Sequence, residues 1–326
     1  MRLRRFLSDA NHNQLPSVAT LGNFDGIHRG HQVLISETIA YAKANNLRSV
    51  LLTFDPMPAE IFSPERSPAR LMRFIEKWNF LQQFDLDELI VLSFNLKLAQ
   101  LSAIEFIEQI LVKQLNVKHI IVGEDFRFGF QRQGDVDLLQ KQGEIFGYSV
   151  TTHVECCPFA GAAGDRSAQP ISSTSIREAL QSGDFALAEK LLGYAYKNIG
   201  RVIHGSQLGR ELGCPTANIP MCRKVSPVHG VYVVRVYFEG QTHYGVASVG
   251  NRPAIGGDLA FLLEVHLFDF SGDLYGKRLE VTYLHKLRDE WMFDSLDALK
   301  MQIEKDCAMA RQYLSQLHID NSLIMS

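Results

Sequence analysis

The sequence predicts an α/β domain built on a parallel sheet, followed by an antiparallel β domain closed by a long helix. Three observations carry this. From residue 17 to about 155, short apolar runs alternate with longer stretches of helical period. From about 199 to 290, β-rich runs are divided by Gly, Pro and Asn turns, and residues 295–317 then hold one amphipathic helical pattern. At 326 residues the chain is long for one compact domain and comfortable for two.

Taken in order, "SVATLG" precedes the helical "HQVLISETIAYAKANN", and "SVLLTF" precedes "RLMRFIEKWNFLQQF" over residues 70–84. "LIVLSF" then precedes "AIEFIEQILVKQL", and "HIIVG" precedes "DVDLLQKQGEIFG". Each pair reads as a strand and its crossover helix, which must bury one face on the sheet; such sheets bind ligands at the carboxyl ends of their strands. Residues 156–170, "CCPFAGAAGDRSAQP", are rich in small residues and Pro and read as a surface loop. Two short helices follow, "STSIREALQSG" and "FALAEKLLG", the second stopped at Gly193. A domain boundary is expected near 185–198. Beyond it "VYVVRVYF", "HYGVASVG", "FLLEVHLFDF" and "LEVTYLHK" predict a barrel or sandwich, and "SLDALKMQIEKDCAMARQYLSQL" the terminal helix.

Bulk properties exclude several classes. No stretch approaches the roughly 20 apolar residues that span a bilayer, and "MRLRRFLSDANHN" lacks the apolar core of a secretory signal, so a cytoplasmic protein without membrane contact is expected. Cysteines 156, 157, 214, 222 and 307 form no CxxC pair and read as reduced thiols. A net charge of −3 gives no general pull toward nucleic acid, and no basic run is interleaved with aromatics. Anionic ligands must therefore be captured by local sites, with small molecules as the expected partners.

The first such site is "GNFDGIHRGH", residues 22–31, lying between strand and helix. It is neither GxGxxG nor a Walker A loop, yet its glycines allow close backbone approach, and a helix start there offers free N–H groups and a favourable dipole to an anion. His28 and His31 add donors tunable near neutrality, chemistry suited to stabilising charge on a triphosphate under attack. A glycine turn whose histidines only cap and solvate is the alternative, and a metal site of Asp25, His28 and His31 lacks the HExxH spacing. "ISSTSIR", 171–177, places Ser172, Ser173 and Thr174 at a helix start, where hydroxyls donate to phosphate or cap N–H groups, with the planar fork of Arg177 beside them. Phe126 and Phe128 of "DFRFG" offer apolar faces to a flat ring and Asp125 or Arg127 a polar edge, while loop packing is the alternative. Pro56 and Pro58 stiffen the loop after the second strand.

In the β domain, "GRVIHGSQLGRELGCPTANIP", residues 200–220, brings Gly205, Gly209 and Gly213 ahead of PTAN; such backbone cradles phosphate, and Thr216 and Asn218 carry hard oxygens suited to Mg²⁺. PTAN reads equally as a turn. Strand alternation sets Leu262, Glu264, His266 and Phe268 on one face, with Phe261, Leu263, Val265 and Leu267 on the other. "SGDLYGKR" misses a Walker A loop at Ser271 and Arg278.

These motifs together resemble the prokaryotic bifunctional riboflavin kinase/FAD synthetase family over essentially the whole chain. "GNFDGIHRGH" is similar to its GxFDGxHxGH signature, and "TFDPMP", "VGEDFRFG" and "ISSTSIR" follow in order. "GRVIHGSQLGRELGCPTAN" is similar to its kinase signature GxVxHGxxxGRxxGxPTAN. The resemblance implies a Rossmann-like FMN adenylyltransferase domain over 1–185 and a β-barrel riboflavin kinase domain over 186–326. It implies ATP, riboflavin, FMN and FAD as substrates or products, Mg²⁺ as cofactor, and flavoproteins as eventual recipients. It further implies that His28 and His31 hold ATP phosphates within the segment Gly22, Asn23, Phe24, Asp25, Gly26 and Gly30, joined by Ser172, Ser173, Thr174 and Arg177. In the kinase domain it implies nucleotide contacts from Gly205, Gly209, Arg210, Gly213 and Pro215, Thr216 and Asn218 on the metal, and Glu264 as general base. Flavin would meet Pro56, Pro58, Asp125, Phe126, Arg127 and Phe128 in one domain and Arg288, Asp289 or Trp291 of "LRDEWMF" in the other, where a surface ion-pair turn is the alternative. Where the family reads ANIGxRPT this chain has "ASVGNRPA", so Ser248 replaces an Asn and Ala254 a Thr near the kinase site. An adenylyltransferase or cytidylyltransferase for another acceptor and a non-catalytic flavin binder are the competing readings.

Overall fold

The computed structural model describes residues 1–5, 15–153, 171–205, 213–253 and 259–324. Two compact units result, Met1–Ser173 and Thr174–Ser326.

The first unit is a six-stranded sheet in which every pairing is parallel. Its strands are β1 (Arg2–Arg4), β2 (Ser17–Leu21), β3 (Arg48–Phe54), β4 (Glu88–Leu92), β5 (Val117–Gly123) and β6 (Ser149–His153), in the order β1-β4-β3-β2-β5-β6. The apolar run of β2 is buried at all five positions because helices cover both faces. On one face Val50 and Leu52 pack against Phe106, Ile107, Ile110 and Leu111; on the other Leu51 meets Ile35 and Leu81. The helices are α1 (Arg29–Asn45), α2 (Pro58–Phe62), α3 (Phe74–Leu81), α4 (Leu96–Ala99), α5 (Ala103–Phe106) and α6 (Val136–Phe146), with α5 running on as a π-helix over Ile107–Gln114. The chain reverses direction of winding at β2, so the carboxyl ends of β2 and β5 flank the crevice where such sheets take ligands.

The helix expected over 70–84 is shortened to α3, because the backbone N–H groups of Leu71 and Met72 are taken by the carboxylate of Asp25. Strand β1 was not expected. It has no apolar pattern and is held at the sheet edge by ion pairs, Arg4 and Arg48 converging on the buried Glu88. The loop read at 156–170, with Cys156 and Cys157, lies outside the described residues.

The second unit opens within α7 (Ser173–Ser182), from Thr174 on, and continues with α8 (Phe185–Leu192), the latter stopped by Gly193 in left-handed conformation. Six strands follow: β7 (Lys197–Arg201), β8 (Ala217–Pro220), β9 (Gly230–Phe238), β10 (Gln241–Pro253), β11 (Leu259–Leu267) and β12 (Arg278–Arg288). They form an antiparallel sheet in the order β7-β12-β9-β10-β11-β8. The ends nearly meet: the Ile203 N–H donates to the Asn218 carbonyl at 2.8 Å, bridging the chain beyond β7 to β8 and closing the sheet toward a barrel. Helix α9 (Leu296–Ile324) covers the outside, Ala310 and Leu314 packing with Val233 and Phe268. This double cover explains why β9 is buried at Val231, Tyr232 and Val233 in succession. No helix among the described residues is long and apolar enough to cross a membrane.

Removing the Glu88 carboxylate strands two arginine heads beneath the sheet edge. Glu88→Ala is expected to destabilise the first unit by about 3 kcal/mol, the low end for a broken buried pair because both arginines keep some access to water. Urea unfolding followed by Trp78 fluorescence in a Trp291→Phe background reads this, and a loss below about 1 kcal/mol would mean the network is not a support.

Candidate active sites

In the first unit a cavity of about 390 Å³ opens at the carboxyl ends of the strands. Gly22, Asn23, Phe24 and Asp25 line it after β2, Phe126 and Arg127 after β5, and Ser172 and Ser173 at the start of α7. The turn is tight: Phe24 and Ile27 take φ of 46° and 39°, left-handed values that L side chains rarely adopt, and both are buried. Several contacts hold it. The Asp25 carboxylate accepts from Leu71 N–H at 3.0 Å and Met72 N–H at 3.1 Å. The Asp25 carbonyl accepts from the Ser173 hydroxyl at 3.0 Å, and the Asn23 carbonyl accepts from Thr53 Oγ1 at 3.0 Å and Lys77 Nζ at 2.7 Å.

His28 is the N-cap of α1; its Nδ1 accepts from the His31 backbone N–H at 3.4 Å, which leaves Nε2 to carry the ring proton. The two imidazoles stack, centroids 3.6 Å apart, and Phe24 tilts against His31 at 4.9 Å. Burial, then the neighbouring His28 and Lys77, hold His31 well below its usual 6.5, so it is neutral at pH 7. Stacked imidazoles and free N–H groups at a helix N-terminus are directed donors, which suits a polyphosphate.

The other residues singled out here divide. Pro58, Asp125, Phe126 and Arg127 line the cavity, as do Gly30 and both histidines. Pro56, in a cis bond after Asp55, and Gly26 do not. Phe128 is buried in packing against Phe106 and Phe126, the packing alternative its sequence left open. Thr174 and Arg177 lie on α7 in the second unit.

In the second unit a cavity of about 640 Å³ lies over the row where Asn218 of β8, Glu264 of β11 and Ser248 of β10 stand directly opposite one another in register. The PTAN segment is therefore part strand: Ala217–Pro220 is β8, with Thr216 just ahead of it. Leu263 and Val265 are buried on either side of Glu264, as the alternation predicts. Gly205 passes so close that a Cβ there would lie 2.4 Å from the Asn218 amide nitrogen, so any larger residue would have to displace that side chain. A second cavity of about 540 Å³ shares Thr216 and Asn218, adds Pro215, and is walled by the 270–275 turn between β11 and β12. The near-miss "SGDLYGKR" thus sits between antiparallel strands, not between strand and helix.

Arg288 lines the larger cavity, but its fork is engaged by Asp306 of α9, at 2.7 Å from Nη2, and it rests over Trp291 with 4.9 Å to the ring centroid. Asp289 pairs with Lys286 at 2.7 Å and is absent from the lining. Gly213 has φ of 82°. Gly209, Arg210 and Ala254 lie outside the described residues.

Family models match the chain twice, FAD synthetase over residues 10–161 and riboflavin kinase over 192–314. The bifunctional riboflavin kinase/FMN adenylyltransferase of Haemophilus influenzae is 45% identical, covering 97% of this chain and 100% of its own. The chain belongs to that bifunctional family. The Escherichia coli K12 member is 44% identical, over 91% of this chain and 92% of its own. A crystal structure from Streptococcus pneumoniae, described as a macrolide-efflux protein, matches with a TM-score of 0.74 at 32% identity, covering 93% of this chain and 97% of that one.

Two site features of this family member escaped the sequence reading. Lys77 sits inside a pattern that reads as an ordinary amphipathic helix, and only its burial beneath the turn reveals it. The 270–275 turn carries one glycine and no phosphate-loop spacing, and gave no signal beyond the rejected Walker match.

The depressed His31 fixes a sign for pH. The unfolded chain takes a proton on this ring near 6.5 and the folded one does so only well below, so stability falls as pH drops through about 6.5. NMR of the ring protons is expected to show His31 untitrated between about pH 8 and 6; proton uptake near 6.5 would contradict a His31 ring held neutral by its surroundings.

Proposed function

We infer that this chain makes both flavin cofactors, phosphorylating riboflavin to FMN and adenylylating FMN to FAD with release of pyrophosphate. The observation that carries this is the pairing of two family models with two compact units, each holding its own strand-end or strand-face cavity. We assign adenylyl transfer to residues 1–185 and phosphorylation to 186–326.

For adenylyl transfer, the FMN phosphate attacks the α-phosphorus of ATP in line, forming the new P–O bond as the bond to pyrophosphate breaks. The nucleophile is already an anion, so the site needs position and donors more than a base. His28, His31 and the N–H groups of the Gly22–Gly30 segment take the phosphates, with Ser172 and Ser173; the family motif assigns Thr174 and Arg177 to the same phosphates. Phe126 offers its face to the flavin ring, with Asp125, Arg127 and Pro58 around it.

For phosphorylation, the nucleophile is the terminal ribityl hydroxyl, which must lose a proton. Glu264 accepts it as the oxygen attacks the γ-phosphorus and ADP leaves. The two cavities meeting at Thr216 and Asn218 suit a donor nucleotide on one side and an acceptor flavin on the other. Pro215, Gly205 and Gly213 belong to the nucleotide side, and Arg288 with Trp291 to the flavin side. Thr216 and Asn218 fit Mg²⁺: they are neutral oxygen donors that leave positions for water and phosphate, and no cluster of three His, Cys, Asp or Glu among the described residues competes for a metal. When bound, the ion supplies charge stabilisation to the phosphates. We place the enzyme in the cytoplasm, with flavoproteins as recipients of its products.

Purified protein with riboflavin, ATP and Mg²⁺ should accumulate FAD through FMN, separated by chromatography with fluorescence detection. His31→Ala is expected to lower FAD formation from supplied FMN by about 10²- to 10³-fold while sparing FMN formation. Glu264→Ala should lower FMN formation by about 10²- to 10⁴-fold and spare FAD formation. A wild-type rate for either variant in its own reaction would remove that residue from its role.

A further inference from the structure

The adenylyl-transfer cavity must hold a polyanion; Arg127 and Arg132 line it, but in the turn itself His31 is neutral and the Asp25 carboxylate is spent on backbone N–H groups. Beneath the turn, from α3, the Lys77 side chain is buried with its ammonium against the phosphate turn. Nζ donates to the Asn23 carbonyl at 2.7 Å and lies 3.4 Å from Thr53 Oγ1, whose hydroxyl donates to that same carbonyl. A buried ammonium costs several kcal/mol unless something is gained from it, and a Met would fill the same volume.

Resting on the adenylyl-transfer reading above, we propose that Lys77 is a positioning residue for that reaction, bracing the Asn23 carbonyl from below and putting a buried positive charge under the triphosphate. The brace acts through the turn. With the Asn23 carbonyl drawn down onto Lys77 and Thr53, the peptide N–H groups that follow are fixed for the phosphates above. The charge adds, after burial and His28, to what keeps His31 unprotonated, so Lys77 supplies positive charge beneath a His31 ring that lines the cavity uncharged.

The surrounding charges set when this works. Asp25, Asp55 and Glu60 favour the ammonium, Arg70 opposes it, and His31 faces it from α1; burial outweighs them and brings Lys77 from 10.5 to about 8. Arg70 is itself tied to Glu60 and Asp55, which blunts the help those carboxylates give. As pH rises through about 8 the charge is lost, and adenylylation should fall with it.

The test measures kcat and KM for ATP in FAD formation from FMN, between about pH 6.5 and 9.5, for wild type, Lys77→Arg and Lys77→Met. FMN formation by the same preparations is the internal control. The expected result is a wild-type limb near pH 8 that disappears in Lys77→Arg, which keeps its charge. Lys77→Met should lose roughly tenfold to a hundredfold in kcat/KM below about pH 8, the gap to wild type narrowing above it, with FMN formation unchanged. A limb that persists unaltered in Lys77→Arg, or a Lys77→Met enzyme at wild-type rate, overturns the proposal and leaves the site reading standing. If Lys77→Met fails to fold, the Lys77→Arg profile decides alone. Wild type that makes FMN but no FAD at any pH overturns the site reading and the proposal with it.

Discussion

The carboxylate of Asp25 gives the first unit its shape at the carboxyl ends of its strands, where the cavity opens. A chain that places Phe24 and Ile27 in left-handed conformation incurs strain of order 1–3 kcal/mol at each, and such a turn persists only when its surroundings over-determine it. Asp25 does so by accepting the N–H groups of Leu71 and Met72, which joins the turn after β2 to the segment leading into α3. The same bonds delay that helix to Phe74, where Glu76 completes a capping interaction with Arg73. They also bring α3 close enough for Lys77 to pass under the turn. One buried anion thus fixes a turn, a helix start and the location of a buried cation.

In the second unit the corresponding constraint is register. Leu263 and Val265 are both buried in the barrel, so β11 cannot slip by one residue against β8 or β10 without driving Glu264 into the core and exposing them. Hydrophobic burial on one face therefore holds the row Asn218, Glu264 and Ser248 together on the other. The hydroxyl of Ser248, where the family pattern has an amide, keeps a polar group opposite Glu264 at less reach. Closure by the Ile203 to Asn218 bridge anchors the end of that row, and a side chain at Gly205 would displace the Asn218 amide from it.

Much of this was legible from residue pattern. The parallel sheet followed from apolar runs alternating with helical ones, because strands buried on both faces leave no polar alternation. The four long strands of the barrel followed from β-rich runs divided by Gly, Pro and Asn turns, and the resemblance drew notice to Glu264 and PTAN, which the fold sets on adjacent strands. What escaped depends on partners distant in sequence. Strand β1, "RLR", has no apolar signature because ion pairs to Glu88 hold it. Strand β6, "SVTTH", is an edge strand with partly exposed threonines. Lys77 carries a solvated-face signature, and its burial follows from Asp25 and Asn23 some fifty positions earlier. Phe128 and Phe126 are indistinguishable by sequence, yet one fills the core and the other lines the cavity.

The two sites use carboxylates in opposite ways, and the difference follows from their nucleophiles. A ribityl alcohol is a poor nucleophile until its proton is taken, a need that the role proposed for Glu264, which lines the larger cavity from a strand, would meet. A phosphate monoester needs no base; a free carboxylate in the turn would only repel both it and the triphosphate. In the turn proposed for adenylyl transfer the carboxylate of Asp25 is turned to the backbone and satisfied there, while His28 and a neutral His31 line the cavity. With a net charge of −3 the chain offers no long-range attraction for polyphosphate, so both sites depend on where these few local donors, acceptors and one buried ammonium are held.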